Sequence, residues 1–418
     1  MHYNALFWVI IAIVIVSFVW DQILRALNRS RMSDTLPPEL VGIYDPDEYA
    51  RQQQYQRVNS RFGLVSSTFD TVLLLVVLFA GAAGWLYAAL QHVSTHYLLL
   101  PLLFFGIIFF VITLLGLPFD YYDTFTIEAR FGFNKSTRKL FFADALKGLL
   151  LTAILGGVVV AAVAFFYHLT PDWFWLIAWG VLVLFSVGIN YFYSQLIVPL
   201  FNKQTPLEEG ELRDALMALG QRAGFQIANI YVLDSSKRST KSNAYFTGFG
   251  KRKRIVLYDT LLSDLDTQEI VAVLAHEIGH YRKHHTLIAM VLGVVMTGIQ
   301  LRLMAFFLGS TAAALALGSR TGVASFALGL IAFSMVFTPV SELLAVGEAA
   351  LSRRHEYQAD AFAAQMGLAE PLISGLKKIS AKALSNLTPH PLVVFWEYSH
   401  PTLLQRMDHL QQQARTHP

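Results

Sequence analysis

The sequence contains no cysteine and few charged residues. Charged residues make up only 15% of the 418, whereas an average soluble domain has about 25%. Without cysteine the chain has no disulfide framework, no thiolate nucleophile and no cysteine-ligated metal site. Any metal ion must therefore be held by histidine, aspartate or glutamate side chains.

Hydrophobic residues, by contrast, are abundant. They make up 55% of the chain, and the mean hydropathy is +0.47. This composition excludes a disordered, collagen-like or coiled-coil chain and indicates a polytopic membrane protein. The net charge of +3 is too small to suggest a nucleic-acid partner. We therefore expect the chain to lie in a lipid bilayer and to bind no nucleic acid.

Seven apolar stretches are long enough to cross a membrane, which takes about 20 residues. The first stretch lacks a basic N-terminal region and a small-residue cleavage site, so it is interpreted as an anchor and not as a signal peptide. The predicted spans lie near residues 5–24, 71–91, 97–117, 147–167, 173–198, 286–308 and 323–347.

The basic residues are distributed very unequally about these spans. All but two of the 32 lysine and arginine residues lie on one side; Arg320 lies in a loop on the other side, and Arg302 lies inside a span. Because loops rich in lysine and arginine stay in the cytoplasm, the N-terminus is predicted to lie outside and the C-terminus in the cytoplasm. That arrangement requires an odd number of spans.

Two long segments on the predicted cytoplasmic side have the composition of a soluble domain. Residues 208–223 have apolar residues at helical spacing, and strands are predicted at 230–233, 243–246 and 254–258. The predicted organisation has four parts: a membrane region with spans one to five (1–198), a first domain part (199–285), a transmembrane hairpin (286–347) and a second domain part (348–418).

The residues His276 to His280 have the sequence H-E-x-x-H, on a predicted helix that begins with a capping box formed by Asp266 and Glu269. Two histidines four residues apart lie on one helix face and can bind one ion. Glu277 can then reach a metal-bound water and take its proton, as in zinc peptidases. A chain of this composition contains only about 0.013 such motifs by chance, so coincidence is a poor alternative.

A catalytic zinc ion needs a third protein ligand and an open position for water. We assign Glu356 as that ligand, for one zinc ion per chain, and Asp360 as the acceptor for the second ring nitrogen of His276. Taken alone, this segment would be interpreted as an exposed acidic pair one turn apart. The motif precedes span six and Glu356 follows span seven, which predicts a site at the cytoplasmic face of the membrane.

Together with the zinc motif, six further segments resemble the type I CAAX prenyl protease family of integral-membrane zinc endopeptidases. They follow the family order over most of the chain: Leu117–Phe125, Ile127–Lys135, Ile197–Lys203, Ser242–Gly248, Ser352–Asp360 and Tyr398–Thr402.

The resemblance implies an all-α multi-pass membrane protein whose seven helices enclose a chamber. A split, gluzincin-like α+β zinc peptidase domain would cap the chamber on the cytoplasmic side. The substrate class would be CAAX-type proteins, prenylated or not, cleaved near the C-terminus. We expect a bacterial member in the inner membrane, with the endoplasmic reticulum as the alternative location.

The resemblance also suggests roles for individual residues. His400 and Arg406 are expected to donate hydrogen bonds to the oxyanion or to the substrate terminus; a purely structural role is the alternative. Asn243, Ala244, Tyr245 and Phe246 are expected to form an edge strand that pairs with an extended peptide, the alternative being an ordinary hairpin strand.

Several alternatives remain open at the level of sequence. His284 and His285 are interpreted as interfacial residues and not as metal ligands. The chain could instead be a membrane quality-control metalloprotease that needs no lipid on its substrate. In a different functional class, it could be an inactive metal-binding scaffold or a transporter.

Overall fold

The computed structural model describes residues 3–227, 229–247 and 254–416, with residues 246 and 247 described by their backbone only. Long helices make up its membrane part. In chain order these are α1 (Ala5–Ser30), α2 (Pro46–Phe79), α3 (Ala82–Gln91), α4 (Leu99–Tyr122) with a π-helical continuation (Asp123–Glu128), α5 (Arg138–Leu169), and α6 (Phe174–Phe192) with a π-helical turn (Tyr193–Ile197) leading into α7 (Val198–Phe201).

The remaining elements build the extramembrane domain and the last two spans. The strands are β1 (Gln204–Pro206), β2 (Asn229–Leu233), β3 (Ala244–Thr247) and β4 (Arg254–Tyr258). The helices are α8 (Glu211–Arg222), α9 (Asp259–Asp264), α10 (Thr267–Arg282), α11 (His285–Leu308), α12 (Thr311–Ala316), α13 (Phe326–Gln365), α14 (Ala369–Lys382), α15 (Pro391–Glu397) and α16 (Leu403–Thr416).

The predicted number of seven spans is confirmed for the described part of the chain. The second span, however, lies elsewhere than expected. The apolar stretch at 71–91 is interrupted at Gly81, which has φ +62 and ends one helix and begins the next. The span is therefore α2, which extends far into the polar residues that precede this stretch.

The seven spans contact one another in a closed cyclic order. Each helix contacts the next one in the order α2, α1, α13, α11, α6, α5 and α4. The ring closes between α2 and α4, where Phe62 and Phe69 both contact Phe119. Only 6 to 17% of the residues in the apolar windows are buried. Most of these residues therefore face either the lipid or the space that the ring encloses.

The two ends of α1 show which elements share a side of the membrane. Near its start, Asn4 donates to the carbonyl of Ala312 in the α11–α13 connection. Near its end, the Asn28 side chain accepts hydrogen bonds from Asn386 and from the backbone of His390. The N-terminus and the extramembrane domain therefore lie at opposite ends of the helical ring.

The extramembrane domain combines a four-stranded sheet with helices from both of its chain segments. The sheet order is β1-β2-β4-β3, with β2 parallel to β4 and the outer strands antiparallel to their neighbours. The three predicted strands are present, and β1 was not predicted. One core contains Leu274 and Ile278 of α10 together with Leu372, Ile373 and Leu410 from beyond the hairpin, so the two segments fold into one unit.

Candidate metal centre

The helix that carries the H-E-x-x-H motif is fixed at its N-terminus. Asp266 caps it, and Glu269 completes the predicted capping box. The Glu269 carboxylate also accepts hydrogen bonds from Ser374 and Lys378 of α14, both at 2.6 Å. Because Glu269 is buried, these bonds satisfy a carboxylate that would otherwise be costly to bury.

Helix α13 brings the acidic residues to this motif. It is one continuous helix of 40 residues, about 60 Å long, which begins as span seven and continues beyond it. Glu356 and Asp360 therefore lie on the direct extension of a membrane span. The chain crosses from the bilayer to the site without a loop, which holds the two carboxylates in a fixed position relative to the membrane.

Gly279 allows α10 and α13 to approach closely. A Cβ atom added at this position would lie 2.9 Å from Ala359 Cα and 3.1 Å from Phe362 Cβ. No larger residue fits here unless the two helices move apart. Since His280 and Glu356 lie on either side of this crossing, the glycine sets the distance between them.

We expect Gly279→Ala to damage the site without contacting any ligand residue. The added methyl group overpacks the crossing, at a cost of about 1–3 kcal/mol in stability, and should lower metal affinity about 10-fold or more. Metal content after dialysis and thermal unfolding in detergent would measure both effects. Gly347→Ala on α13 is the matched control because its added Cβ meets nothing within 4 Å. Wild-type metal retention by Gly279→Ala would contradict this account.

Three side chains converge on one point at the crossing. His276 Nε2 lies 3.2 Å from His280 Nε2, and the Glu356 carboxylate lies 3.4 Å from the first nitrogen and 3.2 Å from the second. Ligand atoms about 2.0–2.1 Å from a tetrahedral ion lie about 3.3 Å from one another. In addition, Glu356 Oε2 is buried and has no hydrogen-bond partner among the described residues. The residues present therefore fit a metal ion.

Asp360 makes the contact that was predicted for it. Its Oδ1 lies 2.8 Å from His276 Nδ1, and the residue is fully buried. Arg406 of α16 binds the same carboxylate in a bidentate manner, at 2.6 and 2.9 Å. Burial disfavours the charged imidazolium, but the carboxylates of Asp360 and Glu356 beside the ring outweigh this and raise the pKa of His276 to about 9.

Glu277 and His400 lie close to the same point. Burial raises the pKa of Glu277, and the neighbouring His276 and His280 partly oppose this. His400 Nε2 is 3.4 Å from Glu356 Oε1, and its side chain is 62% exposed, so a substrate can reach it. Arg406 is only 11% exposed and is engaged by Asp360, so its predicted hydrogen bond to a substrate stays a prediction.

Sequence reasoning missed Arg353, which supports the segment that carries His400. Its guanidinium donates to the carbonyls of Val394 and Tyr398 and, at 3.4 Å, to that of Phe395. These carbonyls belong to the end of α15 and to the residue after it, so Arg353 fixes the backbone two residues before His400. The only signal in the sequence was that Arg353 lies in a segment that resembles the protease family.

The predicted edge strand β3 lies on the outside of the sheet. The backbone N–H of Tyr258 donates to the carbonyl of Asn243, and β3 pairs with β4 along its inner side. No described strand pairs with its outer side. Ala244 and Tyr245 are half-buried, Asn243 is exposed, and the side chain of Phe246 lies outside the described residues.

A polar cluster anchors the chain just before β3. Lys241 donates to Glu128 at 2.7 Å and to the Tyr55 hydroxyl at 3.2 Å, and Tyr55 donates to Glu128 at 2.5 Å. The edge strand is thereby tied to α2 and to the π-helical end of α4. Asp120 and Asp123 line a cavity of about 460 Å³ beside this cluster.

Comparisons with known families cover almost the whole chain in two consecutive parts. The family described as CAAX prenyl protease N-terminal, five membrane helices, matches residues 25–203. Peptidase family M48 matches residues 206–414.

Individual relatives match over nearly their full lengths. The CAAX prenyl protease 1 homolog of Arabidopsis thaliana is 34% identical over 95% of this chain and 96% of its own. CAAX prenyl protease 1 of Saccharomyces cerevisiae is 32% identical over 94% and 92%. A crystal structure of S. mikatae Ste24p is similar with a TM-score of 0.92 and 31% identity, over 98% of this chain and 100% of that one. These relatives are eukaryotic and do not support the expected bacterial origin.

Proposed function

Since the chain belongs to peptidase family M48 and, within it, to the CAAX prenyl proteases, we propose that it cleaves CAAX-type proteins near their C-terminus with the help of zinc. The protein is a multi-pass membrane metalloendopeptidase. The observation that carries the proposal for the site is the convergence of His276, His280 and Glu356 within ligand distance of one another.

The donor set supports zinc as the metal. Two imidazole nitrogens and one carboxylate are a known ligand set of catalytic zinc, and they leave a fourth position open. His276, His280 and Glu356 would hold the ion. When bound, zinc polarises the substrate carbonyl and lowers the pKa of water.

The surrounding side chains then divide the remaining tasks. Glu277 takes the proton from the attacking water and passes it to the leaving amine. Asp360 accepts the Nδ1–H of His276 and so directs its Nε2 toward the ion; Arg406 holds Asp360 in place. His400, which is exposed beside Glu356, donates to the oxygen on which negative charge develops.

The substrate peptide is proposed to add to the sheet along the outer side of β3. Backbone hydrogen bonds to an edge strand hold a peptide extended and do not depend on its sequence. The anchoring of Lys241 to Glu128 and Tyr55 supports this role because it fixes the strand against the chamber wall. Asn243 to Phe246 would therefore set the register of the scissile bond.

The organisation and location follow from the same reasoning. We propose the four parts predicted from the sequence, with the domain formed by 199–285 and 348–418 on the cytoplasmic side. The distribution of lysine and arginine supports this orientation. The eukaryotic relatives favour the endoplasmic reticulum over a bacterial inner membrane.

The substrate class is tested with a fluorogenic CAAX peptide, with and without a farnesyl group, and detergent-purified protein. We expect zinc-dependent cleavage of the farnesylated peptide that stops with a chelator and returns with zinc. Equal cleavage of both peptides would favour the quality-control function instead. No cleavage of either peptide by zinc-loaded protein would overturn the substrate assignment.

A further inference from the structure

A third histidine contacts the ligand His280 on the side away from the proposed metal. His285 Nδ1 lies 3.0 Å from His280 Nδ1, and His285 Nε2 lies 2.8 Å from Gln358 Oε1. The His285 ring is buried and stacks on His355, with ring centroids 3.9 Å apart and planes 9° apart. A series of contacts thus links His280 through His285 to α13.

The direction of each hydrogen bond in this series of contacts follows from the ligand geometry. His280 Nε2 faces His276 and Glu356, so this nitrogen must keep its lone pair free for the metal. The proton of the neutral ring is then on Nδ1, which donates to His285 Nδ1. His285 can accept there only if its own proton is on Nε2, and that proton is donated to Gln358 Oε1.

We propose that His285 and Gln358 are positioning residues that fix the tautomer and orientation of His280. This inference rests on the proposed metal centre. Each ligand histidine then has its own partner: Asp360 for His276, and the His285–Gln358 pair for His280. The first partner is charged and is paired with Arg406, whereas the second is neutral and needs no counter-charge.

The local backbone explains why His285 and not His284 takes this role. His284 has φ +58, in the left-handed region, and caps the start of α11. This residue separates α10 from α11 and is exposed, whereas the next side chain is buried and contacts His280 of α10. Stacking on His355 then sets the plane of the His285 ring.

Two pairs of variants test the proposal through metal affinity, measured by competition with a chelator. Gln358→Met has similar bulk but no strong acceptor, whereas Gln358→Glu keeps an acceptor. His285→Phe keeps the stacked ring but removes the nitrogen, and exposed His284→Asn is its control. We expect Gln358→Met and His285→Phe to bind zinc about 10- to 100-fold more weakly. Gln358→Glu and His284→Asn should stay within about threefold of wild type.

The absorption bands of the cobalt-substituted protein give a second readout, since they report ligand geometry. They should shift in Gln358→Met and stay unchanged in Gln358→Glu. Equal losses of affinity in these two variants, or wild-type affinity in His285→Phe, would overturn the proposal. Wild-type protein that binds no metal would instead overturn the proposed function, and this inference with it.

Discussion

Glu277→Gln is expected to lower peptide cleavage about 10²- to 10⁴-fold while the protein keeps its metal. Glutamine has nearly the same shape as glutamate but cannot take a proton from water. None of the three proposed ligands is changed, so the metal should remain at one ion per chain. Initial cleavage rates and elemental analysis of the same preparation would measure the two quantities.

The separation of these two effects distinguishes an enzyme from a metal-binding scaffold. Glu370→Gln, at an exposed position on α14, is the control and should retain both metal and activity. Loss of metal together with activity in Glu277→Gln would assign Glu277 to metal binding. Unchanged cleavage would rule out Glu277 as the base.

Arg406→Leu is expected to destabilise the folded domain by about 3–5 kcal/mol. Asp360 is fully buried, and without the guanidinium its carboxylate keeps its negative charge in a site that water does not reach. Because Asp360 also orients His276, metal affinity should fall as well. Thermal unfolding in detergent, followed with and without a chelator, would measure both.

A second substitution separates the effect of the charge from the effect of lost packing. Asp360→Asn in the Arg406→Leu background removes the charge that the guanidinium no longer neutralises and should recover part of the stability. Arg415→Leu, at an exposed position on the same helix, is the control and should melt like the wild type. A melting temperature unchanged by Arg406→Leu would contradict the role given to the ion pair.

The membrane part was predictable in number but not in every position. Continuous apolar runs identify spans because the bilayer requires about 20 such residues, and all seven were found. Such a run does not show where one helix stops and another begins. Only the left-handed conformation of Gly81 separates α2 from α3, and a glycine within an apolar run does not reveal its φ angle.

The candidate site was predictable where local spacing determines geometry. H-E-x-x-H places two ligands on one helix face, and the i,i+4 spacing of Glu356 and Asp360 places both carboxylates on one face of another helix. Contacts between distant elements were not accessible in this way. The close approach at Gly279 and the bonds of Arg353 to α15 depend on how helices cross. His284 and His285 differ only in their places at a turn.

The most direct test of the metal centre is an anomalous difference map, calculated from diffraction data collected on either side of the zinc absorption edge. We predict one strong peak about 2.0–2.2 Å from His276 Nε2, His280 Nε2 and a carboxylate oxygen of Glu356. A peak at other residues, or no peak in crystals of protein that cleaves peptide, would contradict it.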